Sequence, residues 1–178
     1  MLARRKLLAA GLAVAAPSLA FADRVAPPLP PALSTLRDVS LTQTDGAATT
    51  LSRVLSPGAA SVITFWATWC APCAAEARHL GRLRARIPPA RLNILGVNVD
   101  TAANEIEIAR FLQAQRAYYA QVRGTVEAYA AFGCGEQIYL PRLFVFARDG
   151  RPVAAFDRYL GEQTSRRIDE AVAAAMAS

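Results

Sequence analysis

An α/β fold with a mixed central sheet and helices on both faces is the architecture this sequence predicts. Two compact apolar runs, Ser61 to Trp66 (SVITFW) and Leu92 to Val99 (LNILGVNV), read as buried strands separated by a helical pattern. Near the C-terminus, Leu143 to Ala147 and Val153 to Phe156 flank Asp149-Gly150, a hairpin-turn dipeptide. A length of 178 residues suits one domain, and 53% hydrophobic against 19% charged residues supplies a core and excludes intrinsic disorder.

Taken in order, the first 22 residues read as an export signal. Arg4, Arg5 and Lys6 precede an apolar run from Leu7 to Ala16, and Ala20 and Ala22 make a small-residue cleavage site, with cutting expected after Ala22. The run is shorter than the ~20 residues of a membrane-spanning helix, which favours cleavage over a retained anchor. Arg4-Arg5 also resembles a twin-arginine signal, so both export routes stay open. Residues 23–34 form a Pro-rich lead-in, extended and not expected to pack as an element, and residues 35–178 form the domain. Residues 36–55 predict short β structure around a turn at Asp45-Gly46, then a short helical or irregular piece. From Ala74, apolar Ala77, Leu80, Leu83 and Ile87 recur at helical spacing until Pro88-Pro89 ends the helix. A helix is expected over 102–115 and a short one over 125–132. The last helix carries Ile168, Ala171, Val172, Ala175 and Met176 on one face.

The chain holds 19 Arg, 38 Ala and a single Lys, a bias that reads as genomic composition rather than function. Its formal charge of +6 falls to +3 over residues 23–178, with 17 basic and 14 acidic groups. No clustered basic block with interleaved aromatics appears, which argues against a nucleic-acid partner.

Chemistry concentrates in Trp69-Cys70-Ala71-Pro72-Cys73, between the strand at 61–66 and the helix from 74. A cysteine at a helix N-terminus meets unsatisfied N–H groups and the positive end of the helix dipole, which stabilise its thiolate. The thiolate is the attacking species in disulfide exchange, so Cys70 is assigned as nucleophile and Cys73, one turn deeper, as resolving cysteine. Pro72 suits a first helical turn, where its missing N–H has no intrahelical partner. A zinc site would need a second pair of ligands, and only Cys134 and His79 remain. A purely structural bridge would gain little from so short a loop.

The stretch VITFWATWCAPCAAEARHL resembles the active-site region of thioredoxin-fold proteins and, more narrowly, the exported TlpA/ResA-type thiol-disulfide oxidoreductases. The likeness includes Trp66, Trp69, the cysteine pair, Glu76, GVNVD at 96–100 and Pro141 before LFVFARDG. It implies a thioredoxin-like fold, a cis bond at Pro141 facing the cysteines, and a main chain at Leu140 that pairs with the substrate. Thioredoxins place a buried Asp where this chain has Thr64, which puts their proton handling in doubt here. Glu76 is the nearest acidic candidate, read as a solvated helix residue with a proton relay as the alternative. Cys134 leaves an odd count and reads as a small buried thiol, a third redox partner or an intermolecular bridge. His79 is expected to be an exposed helical histidine.

The resemblance implies a monomeric periplasmic oxidoreductase without a cofactor or metal. It would reduce disulfides of exported clients, apocytochromes c or copper-site precursors, and be re-reduced by a membrane thiol donor of the DsbD/CcdA type. Ala71-Pro72 between the thiols, with no histidine there, matches reductants of this fold better than strong oxidants. The rival readings are a general disulfide oxidant and a copper-binding chaperone, whose ligand inventory is poor with one His and two Met.

Overall fold

The computed structural model describes residues 27–101 and 105–178, so the export signal expected over residues 1–22 lies outside the described residues. They form a mixed sheet whose centre is β3 (Ala60–Trp66), buried along its whole length. It pairs in parallel with β4 (Leu92–Asn98) and antiparallel with β6 (Arg142–Phe146). With β1 (Ser40–Gln43), β2 (Ala48–Thr50), β5 (Ala120–Arg123) and β7 (Pro152–Phe156), the order is β2-β1-β5-β4-β3-β6-β7. The mixed sheet and the hairpin expected at Asp149-Gly150 are both present, and Gly150 takes a φ of 84° that glycine adopts freely.

Alternation along β3 divides the core. Ile63 and Phe65 face a cluster with Leu36, Leu95, Val97, Tyr129, Phe132, Phe144 and Phe146. Val62 faces the opposite side, where α3 (Ala71–Arg86) and α6 (Glu162–Ala177) bury Leu80, Leu83, Ile168 and Val172. On this second side α4 (Glu105–Gln115) sends Ile108 into a third, smaller cluster with Trp66, Cys70 and Cys73. On the first lie two short helices, α1 (Leu33–Leu36) and α2 (Leu51–Val54), with Leu36 and Leu51 buried. The helix expected at 125–132 divides into α5 (Val126–Tyr129) and a π-helical turn (Ala130–Cys134), where Gly133 at φ 77° turns the chain.

Three elements depart from the sequence expectation. The cysteine helix begins at Ala71, three residues before its apolar periodicity. Strand β5 was not anticipated, because its four residues AQVR bury only Val122. Residues 27–32 of the Pro-rich stretch form no helix or strand, yet Pro30 is buried and Leu33 already starts α1, its N–H donating to the Gly150 carbonyl at 2.9 Å. Among the described residues no helix is long and apolar enough to cross a membrane.

Helix α3 is seated against the end of α4 by Gly81, where an added Cβ would lie 2.3 Å from the main-chain oxygen of Arg116. That oxygen cannot swing aside as a side chain can. Gly81→Ala gains about 1 kcal/mol of helix propensity but forces an overpacked backbone contact that costs about 1–3 kcal/mol. The substitution is expected to lower the urea midpoint of unfolding, and a raised midpoint would show that α3 is free to shift.

Candidate active site

Strand β3 ends at Trp66 and α3 begins at Ala71, so four residues carry the chain from a buried strand to a helix start. Asp100, itself buried, holds this crossing. Its Oδ2 accepts from the Thr68 N–H at 2.9 Å and from Asn98 Nδ2 at 2.7 Å, and its Oδ1 accepts from the Thr68 hydroxyl at 3.2 Å. Arg123 NH2 donates to the Asp100 carbonyl at 2.7 Å and ties the same corner to β5.

Cys70 is the N-cap of α3, with Pro72 in the first turn as expected. It is joined to Cys73 by a disulfide with Cα atoms 5.2 Å apart, so the structure shows the oxidised state. Both cysteines are nearly covered, Cys70 4% and Cys73 1% exposed, whereas neighbouring Trp69 is 69% exposed. Trp66 stacks on Phe111 at 4.8 Å and belongs to the same buried cluster as both cysteines. The Leu140-Pro141 bond is cis, and Leu140 packs against the cysteine cluster. Cys70, Cys73, Trp66 and the loop at Leu140-Pro141 are therefore brought together.

Glu76 is not a solvated helix residue. It is 2% exposed, points at the sheet, and accepts a hydrogen bond from the Thr64 hydroxyl. Thr64, Gly96 and Gln121 stand side by side in one row across β3, β4 and β5. A Cβ on Gly96 would strike the Gln121 carboxamide at 2.1 Å, so glycine leaves the notch in which that side chain lies. Gln121 Oε1 accepts from Trp66 Nε1 at 3.1 Å, linking this polar row to the cysteine cluster. Burial pushes the Glu76 carboxyl up to about 7, against the Thr64 hydrogen bond, which pulls it down. Burial, with the Glu76 charge nearby, pushes the Tyr119 phenol far above its ordinary range.

His79 also departs from expectation. It is 3% exposed, wedged between α3 and α6, with Nε2 3.0 Å from Asp169 Oδ1. Burial lowers its pKa, and the Asp169 carboxylate opposes that shift. It lies six positions beyond Cys73 on the helix, about 9 Å along the axis, which removes the histidine that a copper site at the cysteines would use. Cys134 is a free, half-buried thiol whose pKa burial raises, while Arg142 and Tyr129 pull it down. Its neighbour Tyr129 fixes the main chain of Tyr139 through two hydrogen bonds.

The AhpC/TSA family profile matches residues 34–153, two thirds of the chain and all of the site. The chain belongs to the AhpC/TSA family. Its thioredoxin-like fold is shared with a secreted disulfide oxidoreductase of Mycobacterium tuberculosis homologous to E. coli DsbE, at 19% identity and TM-score 0.64, covering 79% of this chain and 98% of that one. A DsbE-type thiol:disulfide interchange protein of Chlorobium tepidum is similar at 19% identity and TM-score 0.65, covering 84% and 98%. M. tuberculosis DsbF, solved in mixed oxidised and reduced forms, is similar at 21% identity and TM-score 0.62, covering 79% and 96%. No curated protein matches the sequence. The expected thioredoxin-like fold and the resemblance to thiol-disulfide interchange proteins thus stand.

A raised pKa means the folded protein holds the Glu76 proton more tightly than the unfolded chain. Stability from this group is therefore full below pH ~4.5 and is lost as pH rises through about 7. Glu76→Gln, neutral at every pH, is expected to flatten the fall in stability of the oxidised protein between pH 5 and 8, by on the order of 3 kcal/mol. Urea unfolding across that range measures it, and parallel pH profiles for the two proteins would place the carboxyl in contact with water.

Proposed function

We propose that this protein is a thiol-disulfide oxidoreductase that reduces disulfides of exported proteins through Cys70 and Cys73. The observation that carries the reading is the closed disulfide at the N-terminus of α3, covered by the loop that ends in the cis Leu140-Pro141 bond. The first 22 residues as a cleaved signal and a periplasmic site of action belong to the same proposal, as does residues 35–178 as the working domain. Two fold neighbours support it, a secreted disulfide oxidoreductase homologous to DsbE and an interchange protein named DsbE.

In the reduced protein the Cys70 thiolate attacks one sulfur of a client disulfide. A Cys70–client bond forms, the client S–S bond breaks, and the second client sulfur leaves as a thiolate that takes up a proton. Cys73 then gives its proton to the Glu76 carboxylate, one helical turn on, and attacks the Cys70 sulfur. That breaks the Cys70–client bond, and the first client sulfur leaves as a thiolate that takes a proton from water. The client departs as a dithiol; the pair has given it two electrons and is left as the Cys70–Cys73 disulfide. A carboxyl with pKa near 7 exchanges that proton readily at neutral pH. Trp69 presents an exposed apolar edge for the client beside Cys70. A membrane thiol donor of DsbD/CcdA type restores the dithiol, and maturing apocytochromes c or copper-site proteins are the client class the resemblance implies.

Two measurements test this. Cys73→Ser is expected to trap clients as mixed disulfides on Cys70, and Cys70→Ser to trap none; the reverse pattern would exchange the two roles. Ala71 and Pro72 add no charge to the Cys70 thiolate beyond the helix terminus, so the couple is expected nearer the about −270 mV of thioredoxin than the about −120 mV of DsbA. Equilibration with glutathione or dithiothreitol buffers reads it directly, and a value above about −170 mV would favour an oxidant.

A further inference from the structure

Tyr139 is 59% exposed, yet its main chain is fully engaged. Its N–H donates to the Tyr129 hydroxyl at 3.1 Å, and that hydroxyl donates to the Tyr139 carbonyl at 2.9 Å. A hydroxyl has one proton and free lone pairs, so a single orientation satisfies both groups. The Tyr129 ring is 1% exposed and meets Phe65 edge-on at 5.2 Å. Phe65 lies on the strand that leads to the cysteines and is paired in register with Arg142, the residue after Pro141. Tyr129 is thus a strut from the cysteine-bearing strand to the proline loop. The main chain of Leu140, one residue on, makes no hydrogen bond among the described residues.

We propose that Tyr129 is a positioning residue for client docking. By occupying both main-chain groups of Tyr139 it leaves Leu140 as the pairing point beside the cysteines, and so fixes the register in which a client chain meets Cys70. The proposal rests on the exchange reaction above. A client strand paired one residue early would carry its disulfide about 3.3 Å along the chain. That displacement exceeds the length of an S–S bond, about 2.0 Å, and takes the target sulfur out of line with the thiolate.

Tyr129→Phe keeps the ring and removes only the hydroxyl. The reduced wild-type and Y129F proteins are compared on an extended peptide containing a disulfide and on a small aromatic disulfide with no flanking main chain. The kcat/KM for the peptide is expected to fall about tenfold, the scale of one buried hydrogen bond left unmade. The rate with the small disulfide and the equilibrium potential of the pair should not change. Phe146→Leu, a core change away from the loop, controls for general loosening and should keep the wild-type ratio of the two rates. An unchanged ratio in Y129F, or the same altered ratio in F146L, overturns the proposal. Amide hydrogen exchange in the wild-type protein gives a check that does not depend on any variant: slow exchange at Tyr139 with fast exchange at Leu140 supports the clamp, and equal rates overturn it. Failure of the wild type to exchange with either disulfide would instead overturn the oxidoreductase reading.

Discussion

The buried Asp100 carboxylate, gripping the chain between β3 and α3, is the interaction on which the site depends. A strand buried on both faces has to give way to a helix whose first turn carries two cysteines, within four residues. Such a crossing leaves main-chain N–H groups without sheet or helix partners, and an unmade hydrogen bond in a covered place costs about 1–3 kcal/mol. Asp100 takes up the N–H and hydroxyl of Thr68, and Asn98 and Arg123 hold Asp100 in turn. The helix start, the disulfide and the exposed Trp69 all inherit their positions from that corner.

Below the disulfide the molecule keeps a polar row where a hydrophobic core would be simpler. Thr64, Gly96 and Gln121 form a cross-strand notch, and α3 lowers Glu76 onto it. A buried carboxyl is destabilising unless it is neutral or well bonded. Here desolvation wins over the single Thr64 hydrogen bond, which is why the group rests near neutrality instead of remaining a firm anion. The arrangement places a buried carboxyl one turn along α3 from Cys73, while Gln121, farther along the same row, holds the Trp66 indole.

Much of this was legible in the sequence. The β-branched run at 61–66, the helical spacing after Ala74 and the Asp149-Gly150 turn each carry local physics strong enough to read, and the cysteine pair between strand and helix announced the chemistry. What escaped depends on contacts between distant segments. Strand β5 is recognisable only because β4 and β1 pair with it. Glu76 and His79 look like surface residues on a helical wheel, since a polar helix position gives no warning that a sheet row or an acidic partner on α6 will cover it. Gln121, Tyr119 and Tyr129 left no signal at all, because their roles arise from register. Asp100 did leave one, as the last residue of GVNVD, but the motif does not say that its carboxylate turns back to Thr68.

The outermost strands have a consequence for how the molecule behaves among other extended chains. At one margin β2 is three residues long, too short to template a neighbour. At the other, β7 opens with Pro152, which has no N–H to offer, and its register slips against β6 between Val145 and Phe146. A protein whose proposed clients are unfolded or partly folded polypeptides would otherwise expose two sticky borders to them, inviting non-productive stacking into aggregates. With both borders blunted, an incoming backbone finds little sheet edge on which to add itself.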